Sequence, residues 1–288
     1  MSTAVLIVNY KSYDELGNCL KSLLPYRRPD DEVVVVDYES DAGALSASID
    51  GRAGVTVVAR PDNLGFAAGV NMAATRAHSR YLMMLNPDTA LEGPVIQVLE
   101  DWMTNHPDVG AAGPRVLNDD GSTQATARRF PDLTTAFGGR STWLTRHFPG
   151  NWLSRHNLSA KDAHEPVDVD WVSGVCLMTP RELFNRLGGL DERFFMYWED
   201  ADYCYRVREA GLRRSYLPVA AVRHPGGRSA AYNSARAIRA FHQSAFRLYR
   251  KHASPFGRLA SPLVGTGLWL RSQWQLQRAS AGRPRETE

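Results

Sequence analysis

The sequence predicts an α/β fold in which a mostly parallel sheet is covered by helices on both faces. Three observations carry this. Apolar runs of strand length alternate with segments of helical spacing through the first third of the chain. The runs are continuous rather than alternating, which suits strands buried on both faces. Three of the four also close on polar residues (Asn9, Asp37 and Asn86-Pro87-Asp88) at the carboxyl ends where open parallel sheets receive ligands.

Taken in order, Ala4–Asn9 is the first strand, and Tyr13–Leu24 is a helix with Leu16, Leu20, Leu23 and Leu24 on one face. Val33–Val36 is a second buried strand, closed by Asp37, and Val55–Ala59 a third. The Ala-rich Phe66–His78 is expected as helix, Tyr81–Leu85 as the fourth strand, and Val95–Asn105 as a helix carrying Val95, Val98, Leu99 and Trp102. Residues 118–168 lose this periodicity and read as long loops and short helices over a site, or as an acceptor-binding insert. Order returns with a strand-like Val167–Thr179, a short helix Arg181–Leu187, a helix Asp200–Ala210 ending at Gly211, and a last strand Val219–Val222. The division expected is 1–234 as one domain, with halves 1–117 and 118–234, followed by a tail, 235–288.

The chain has 288 residues, 43% hydrophobic and 23% charged, which excludes a disordered or fibrous protein. A net charge of +3 is too small to announce a nucleic-acid partner. It is unevenly spread: residues 235–288 carry ten Lys/Arg and two acids, leaving a mildly acidic body. The tail combines a basic amphipathic segment (Ile238, Phe241, Ala245, Leu248, Tyr249) with a Trp- and Leu-rich segment, Leu263–Leu276. That combination fits an anionic membrane surface, and it equally fits a helix packed on the body. No stretch reaches the roughly 18 apolar residues of a membrane span, and no leader pattern opens the chain, so a cytoplasmic protein is expected, at the inner face of the cell membrane if the tail attaches. Cys19, Cys176 and Cys204 are widely spaced and read as buried small hydrophobes.

Chemistry is expected where carboxylates gather. Asp88 ends a strand and suits a divalent cation with a diphosphate, although a turn Asp has the same surroundings. Glu199-Asp200-Ala201-Asp202 follows the aromatic run Phe194–Trp198. Mutual repulsion and desolvation would raise these carboxylates toward a general base, whereas a helix N-terminus alone would favour the same acids. His224 sits in an irregular His-Pro-Gly-Gly loop that can aim it at metal or phosphate, although a lone His is more often neither ligand nor phosphate contact. Asn63–Asn71 is a Gly/Ala stretch opening a helix, which suits either close backbone approach of a ligand or tight helix–sheet packing, and it is neither a dinucleotide fingerprint nor a Walker motif.

Together these segments resemble glycosyltransferase family 2, in its bacterial rhamnosyltransferase-like branch. The matching pieces, in the family's order, are Ile7-Val8-Asn9-Tyr10, the strand ending at Asp37, Asn63–Asn71, Asn86-Pro87-Asp88, Trp171-Val172-Ser173-Gly174, Phe195–Asp202, and His224 with Gly227 and Ser229. The resemblance implies a GT-A fold: a Rossmann-like nucleotide-binding half, an acceptor half and, here, a helical tail. It implies a nucleoside-diphosphate sugar bound by Val8, Asn9, Asp37, Asn63, Gly65, Asn71, Asn86 and Asp88. Asp88 and His224 would hold Mg²⁺ or Mn²⁺. Asp200 would be the base of an inverting displacement, with Trp171, Gly174, Trp198 and Glu199 on the acceptor side. The implied reaction transfers L-rhamnose from dTDP-L-rhamnose to a glycan or polyprenyl-diphosphate-linked sugar in cell-envelope synthesis. The alternatives are a UDP-sugar donor or a catalytically silent binding subunit. The family's usual Asn after the strand-two Asp is replaced by Tyr38-Glu39, which motivates both alternatives.

Overall fold

The computed structural model describes residues 2–49, 54–130, 160–225 and 235–281. Gly227, Ser229 and most of the 118–168 segment lie outside the described residues.

Among these residues the main sheet has nine strands. The first four are β1 (Thr3–Tyr10), β2 (Glu32–Tyr38), β3 (Val55–Arg60) and β4 (Tyr81–Leu85). They lie side by side in the order β3-β2-β1-β4, all parallel. Next in the chain come β5 (Ala90–Leu91) and β6 (Val109–Leu117), then the short β7 (Ala127–Arg128), β8 (Val167–Asp168) and β9 (Trp171–Val172), and finally β10 (Cys176–Pro180) and β11 (Arg213–Arg223). β10 runs antiparallel between β4 and β6 and joins the two halves into one sheet; β11 then pairs parallel with β6. β7 and β9 form a separate two-stranded ribbon.

Both faces of β1 are covered. Ala4, Leu6 and Val8 face one core cluster with Val70, Phe194 and Tyr203; Val5 and Ile7 face the other with Leu16, Leu20 and Leu99. The continuous apolar run is therefore the signature of burial on two sides. The covering helices are α1 (Tyr13–Leu23), α2 (Ala42–Ile49), α3 (Phe66–Ala74), α4 (Val95–Asn105), α5 (Arg181–Arg186) and α6 (Glu199–Glu209).

Several expected elements change. The helix expected to reach His78 ends at Ala74, because the backbone N–H groups of His78 and Ser79 donate instead to the Glu32 carboxylate at 2.8 and 2.7 Å. Val167–Thr179 is not one strand but three pieces, β8, β9 and the start of β10. The last strand begins at Arg213, well before Val219. α2 and β6 carried no expectation. β6 contains Gly110 and Gly113, which look like loop residues. A Cβ on Gly110 would lie 2.6 Å from Val207 and one on Gly113 3.0 Å from Val172, so these glycines mark close packing against the strand.

The tail forms α7 (Ala235–His252), α8 (Pro255–Leu259) and α9 (Ser261–Ala281). α7 packs on the body through Ala237, Ala240, His242, Ser244 and Leu248. Among the described residues no helix is long and apolar enough to cross a membrane.

Candidate functional site

The site lies along the carboxyl edge of the parallel strands. Asn9 and Asp37 are register partners on β1 and β2, so their side chains fall on the same face. The Asn9 Nδ2 donates to Asp37 Oδ1 at 2.7 Å. The other carboxylate oxygen accepts from Ser40 Oγ and, at 3.4 Å, from the Tyr13 hydroxyl. Asp37 is thus fully buried but held by three donors. The unusual residues beside it turn elsewhere. Tyr38 is in the core and donates its hydroxyl to the Gly65 carbonyl at 3.1 Å. Glu39 pairs with Lys11 at 2.6 Å.

The Asn63–Asn71 stretch docks on the aromatic run. Asn63 Oδ1 accepts from Gly65 N at 3.0 Å, and Phe66 N donates to the Phe195 carbonyl at 2.8 Å. Gly65 has φ +96°, and a Cβ there would meet the Phe195 carbonyl oxygen at 2.3 Å, so both conformation and space require glycine. Val8 packs under Gly69, where a Cβ would approach it to 2.7 Å. Asn71 has both ends of its amide engaged: it donates to the Leu190 carbonyl and to Glu192, and accepts from Leu190 N at 2.8 Å. It ties α3 to the turn before the aromatic run.

Asp88 and His224, 136 positions apart, meet at the far end of the sheet, with Asp88 Oδ1 and His224 Nε2 3.3 Å apart. Asn86 supports this turn through backbone bonds, its N–H to the Val175 carbonyl and its carbonyl to Thr89 N. Gln124 holds the imidazole: its Nε2 donates to the His224 carbonyl at 2.6 Å, which leaves Oε1 3.4 Å from Nδ1. With the amide in this orientation Nδ1 is the donor to Gln124, which leaves Nε2 and the Asp88 carboxylate to face one point. That donor set fits a divalent cation completed by phosphate oxygens and water. Among the described residues no cluster of three or more His, Cys, Asp or Glu side chains could hold a metal by itself.

Asp200 opens α6. Its Oδ2 accepts from Gly174 N at 2.8 Å and its Oδ1 from Ala201 N at 2.7 Å. Burial pushes this carboxyl above the ordinary Asp range, against those two backbone donors. Glu199 beside it rises further: burial and then the Asp200 charge both raise it, and its Oε2 has no partner among the described residues. Of the two, Glu199 is raised further and is therefore the first to take up a proton as pH falls. Asp202 goes the other way. Burial would raise it, but His252, Lys251 and Arg206, at 2.8, 2.7 and 2.9 Å, hold it below the usual value. The three carboxylates are thus divided between a base-like pair and a structural ion cluster binding α7.

The residues just before Glu199 are strained. Tyr197 and Trp198 have φ of 69° and 70°, a left-handed conformation costing on the order of 1–3 kcal/mol per non-glycine residue. Phe241 of α7 holds both rings, with centroids 5.6 and 5.4 Å away, and Trp171 packs on Trp198 at 6.0 Å. Trp171 is fixed by its Nε1–H donating to the Arg129 carbonyl. Among the described residues the buried indole N–H of Trp198 has no partner, so it and Glu199 Oε2 are two polar groups left for a ligand. Reasoning from sequence missed Gln124, Tyr13 and Phe241. Phe241 stood out only as an apolar position of the tail helix, and nothing local marks the other two.

This arrangement, a nucleotide-type half sheet joined through one antiparallel strand to a carboxylate-bearing half, is that of the GT-A glycosyltransferases. Residues 2–251 match the family described as glycosyltransferase like family 2, and the chain belongs to it. Among curated relatives, the N-acetylglucosaminyl-diphospho-decaprenol L-rhamnosyltransferase of Mycobacterium tuberculosis is 31% identical over 255 residues, 84% of this chain and 82% of that protein. The low-salt glycan biosynthesis hexosyltransferase Agl10 of Haloferax volcanii is 28% identical over 216 residues, 73% of this chain and 62% of the relative. Among solved structures, the mannosyltransferase PcManGT from Pyrobaculum calidifontis, in complex with GDP-Man and Mn²⁺, superposes with a TM-score of 0.60 at 19% identity. That alignment covers 97% of this chain and 73% of the other. GalNAc-T7 with UDP, GalNAc and Mn²⁺ gives 0.61 at 15% identity over 98% and 56%. At such identity the two structures speak for the fold alone.

Proposed function

We propose that this glycosyltransferase is an inverting rhamnosyltransferase that takes L-rhamnose from dTDP-L-rhamnose to a sugar on a polyprenyl-diphosphate carrier. The observation that carries the reaction class is Asp200: a buried carboxylate of raised basicity, oriented by two backbone N–H groups and flanked by a Glu199 whose carboxyl is raised further. The Mycobacterium relative's lipid-linked acceptor supports the acceptor and donor class.

In this reading Asp200 takes the proton of the acceptor hydroxyl as its oxygen attacks the anomeric carbon. The bond from that carbon to the donor diphosphate breaks, and the electron pair leaves with the diphosphate. Asp37, held by Asn9, Tyr13 and Ser40, binds the nucleoside. Asp88 and His224 would hold Mg²⁺ or Mn²⁺, which when bound neutralises the leaving diphosphate. Trp171, Trp198 and Glu199 line the acceptor side, with Gly174 orienting the base.

A thermal-shift panel of nucleotide sugars, with and without each cation, tests donor and metal together. A cation-dependent rise with dTDP-L-rhamnose is expected. A rise with UDP-sugars only would replace the donor, and no rise with any nucleotide sugar would favour a silent subunit. Asp200→Asn should keep the shift and lose transfer by about 10²–10⁴-fold. Full transfer by that variant would remove Asp200 from its role.

A further inference from the structure

The tail divides into a helix the fold needs and a helix with a face the fold leaves bare. α7 buries one face on the body, and its end is fixed by the ion cluster of Lys251 and His252 with Asp202 and of Lys251 with Asp191 at 2.7 Å. α9 packs on α7 through the Gly265 side, where a Cβ would meet the Phe246 ring at 3.2 Å, and through buried Ser272. A helix docked on a soluble body needs one apolar stripe. α9 has a second. Leu263, Gly267, Leu270 and Trp274 recur at i, i+4, i+7 and i+11, the spacing of one face, on the side away from Gly265 and Ser272. Leu263, Leu270 and Trp274 are exposed, as are Phe256 and Leu259 of α8, from 49% at Trp274 to 85% at Phe256.

The charge beside this stripe identifies its occupant. Residues 235–281 contain eight Lys/Arg and no Asp or Glu. Arg271 and Arg278 follow the edge of the apolar face, and the Arg278 guanidinium lies 3.9 Å from the centre of the Trp274 ring. A second copy of the chain seated here would bring the same positive charge against itself. An anionic bilayer offers both complements, acyl chains for Leu and Trp and headgroup phosphates for Arg. No described helix can cross a membrane, so the contact is one of lying on the surface.

We propose that α8 and α9 form a docking surface for an anionic membrane, with Phe256, Leu259, Leu263, Leu270 and Trp274 entering the interface and Arg271 and Arg278 binding lipid headgroups. α7 links this surface directly to the strained Tyr197–Trp198 turn. Ser244 Oγ donates to the Met196 carbonyl at 3.0 Å, one residue from that turn. The surface stands on its own observations and does not depend on the donor or acceptor reading.

The test is co-sedimentation of the full chain with vesicles of phosphatidylcholine alone and of phosphatidylcholine with phosphatidylglycerol. Binding is expected to the anionic vesicles, weakened by salt, with a blue shift of tryptophan emission. Leu270→Ser and Trp274→Ser, both at exposed positions, should each lower partitioning about tenfold. Arg271→Gln and Arg278→Gln should each cost roughly fivefold on anionic vesicles. Val219→Ser, an equally exposed apolar position on β11, should change nothing. Circular dichroism shows that each variant is folded. Sedimentation unaffected by the α9 variants would overturn the proposal. So would a dimer in solution that the same variants dissolve, because the stripe would then belong to a second copy.

Discussion

Glu199 and Asp202 are three positions apart and respond oppositely to acid. Glu199 has its carboxyl raised by burial and by the Asp200 charge. A group with a raised folded value binds more protons folded than unfolded, so its contribution to stability falls as pH rises from the ordinary Glu value toward the folded one. Glu199→Gln removes that titration. The variant should therefore show a flatter loss of Tm above the ordinary Glu value than the parent protein, measured by calorimetry across that range. An unchanged profile would mean that Glu199 does not carry the proton. The same substitution keeps a neutral side chain of the same shape beside Asp200, so donor-dependent thermal shifts should persist.

At the scale of elements, the contact between the Asn63–Asn71 stretch and the aromatic run joins the two halves of the site. It rests on one backbone hydrogen bond, Phe66 N to the Phe195 carbonyl, beside a glycine with no room for a Cβ. Gly65→Ala should cost roughly 1–3 kcal/mol in chemical denaturation, and it should weaken nucleotide-sugar shifts more than a surface substitution of equal cost. Elements were legible in the sequence where burial imposes a pattern. β1, β2 and β4 are apolar runs because both their faces are covered, and Asn9, Asp37 and Asp88 stand out because they end such runs. α4 was legible to its last residue. β6 was hidden because close packing demanded glycine, the residue that otherwise marks a loop. The division of the acidic cluster was illegible because it depends on Lys251 and His252, about fifty residues away. Gln124 was invisible for the same reason, since its role exists only where the chain brings His224 beside it.

At the scale of the molecule, the tail is part of the site's support. Asp202, completely buried, binds Arg206 of its own helix and Lys251 and His252 of α7, while Asp191 takes a second bond from Lys251. Arg193 first, and then Lys251, hold Asp191 below the usual carboxylate range. These lowered groups contribute stability above the ordinary carboxylate value and lose it as pH falls through their lowered ones. Asp202→Asn, which leaves the cations without their buried partner, should cost about 3 kcal/mol at neutral pH and flatten the acid side of the stability profile. Urea unfolding at two pH values reads both effects. Because Phe241 of the same helix holds Tyr197 and Trp198, the variant should also lower transfer. A variant that loses stability without losing transfer would separate the tail from the site.

β10 has a consequence for how the chain is made. It reaches its place between β4 and β6 only after the intervening polypeptide has been synthesised, and it supplies β4 with its second neighbour. Until residue 180 has left the ribosome, Tyr81–Leu85 is an apolar strand with one open edge, the form of backbone that recruits foreign strands. A nascent chain stalled between β6 and β10 is therefore the species most exposed to aggregation, and the one a chaperone would have to shield. Fragments ending before Cys176 should precipitate when expressed, whereas fragments ending after α7, which complete both the sheet and the ion cluster on Asp202, should remain in solution.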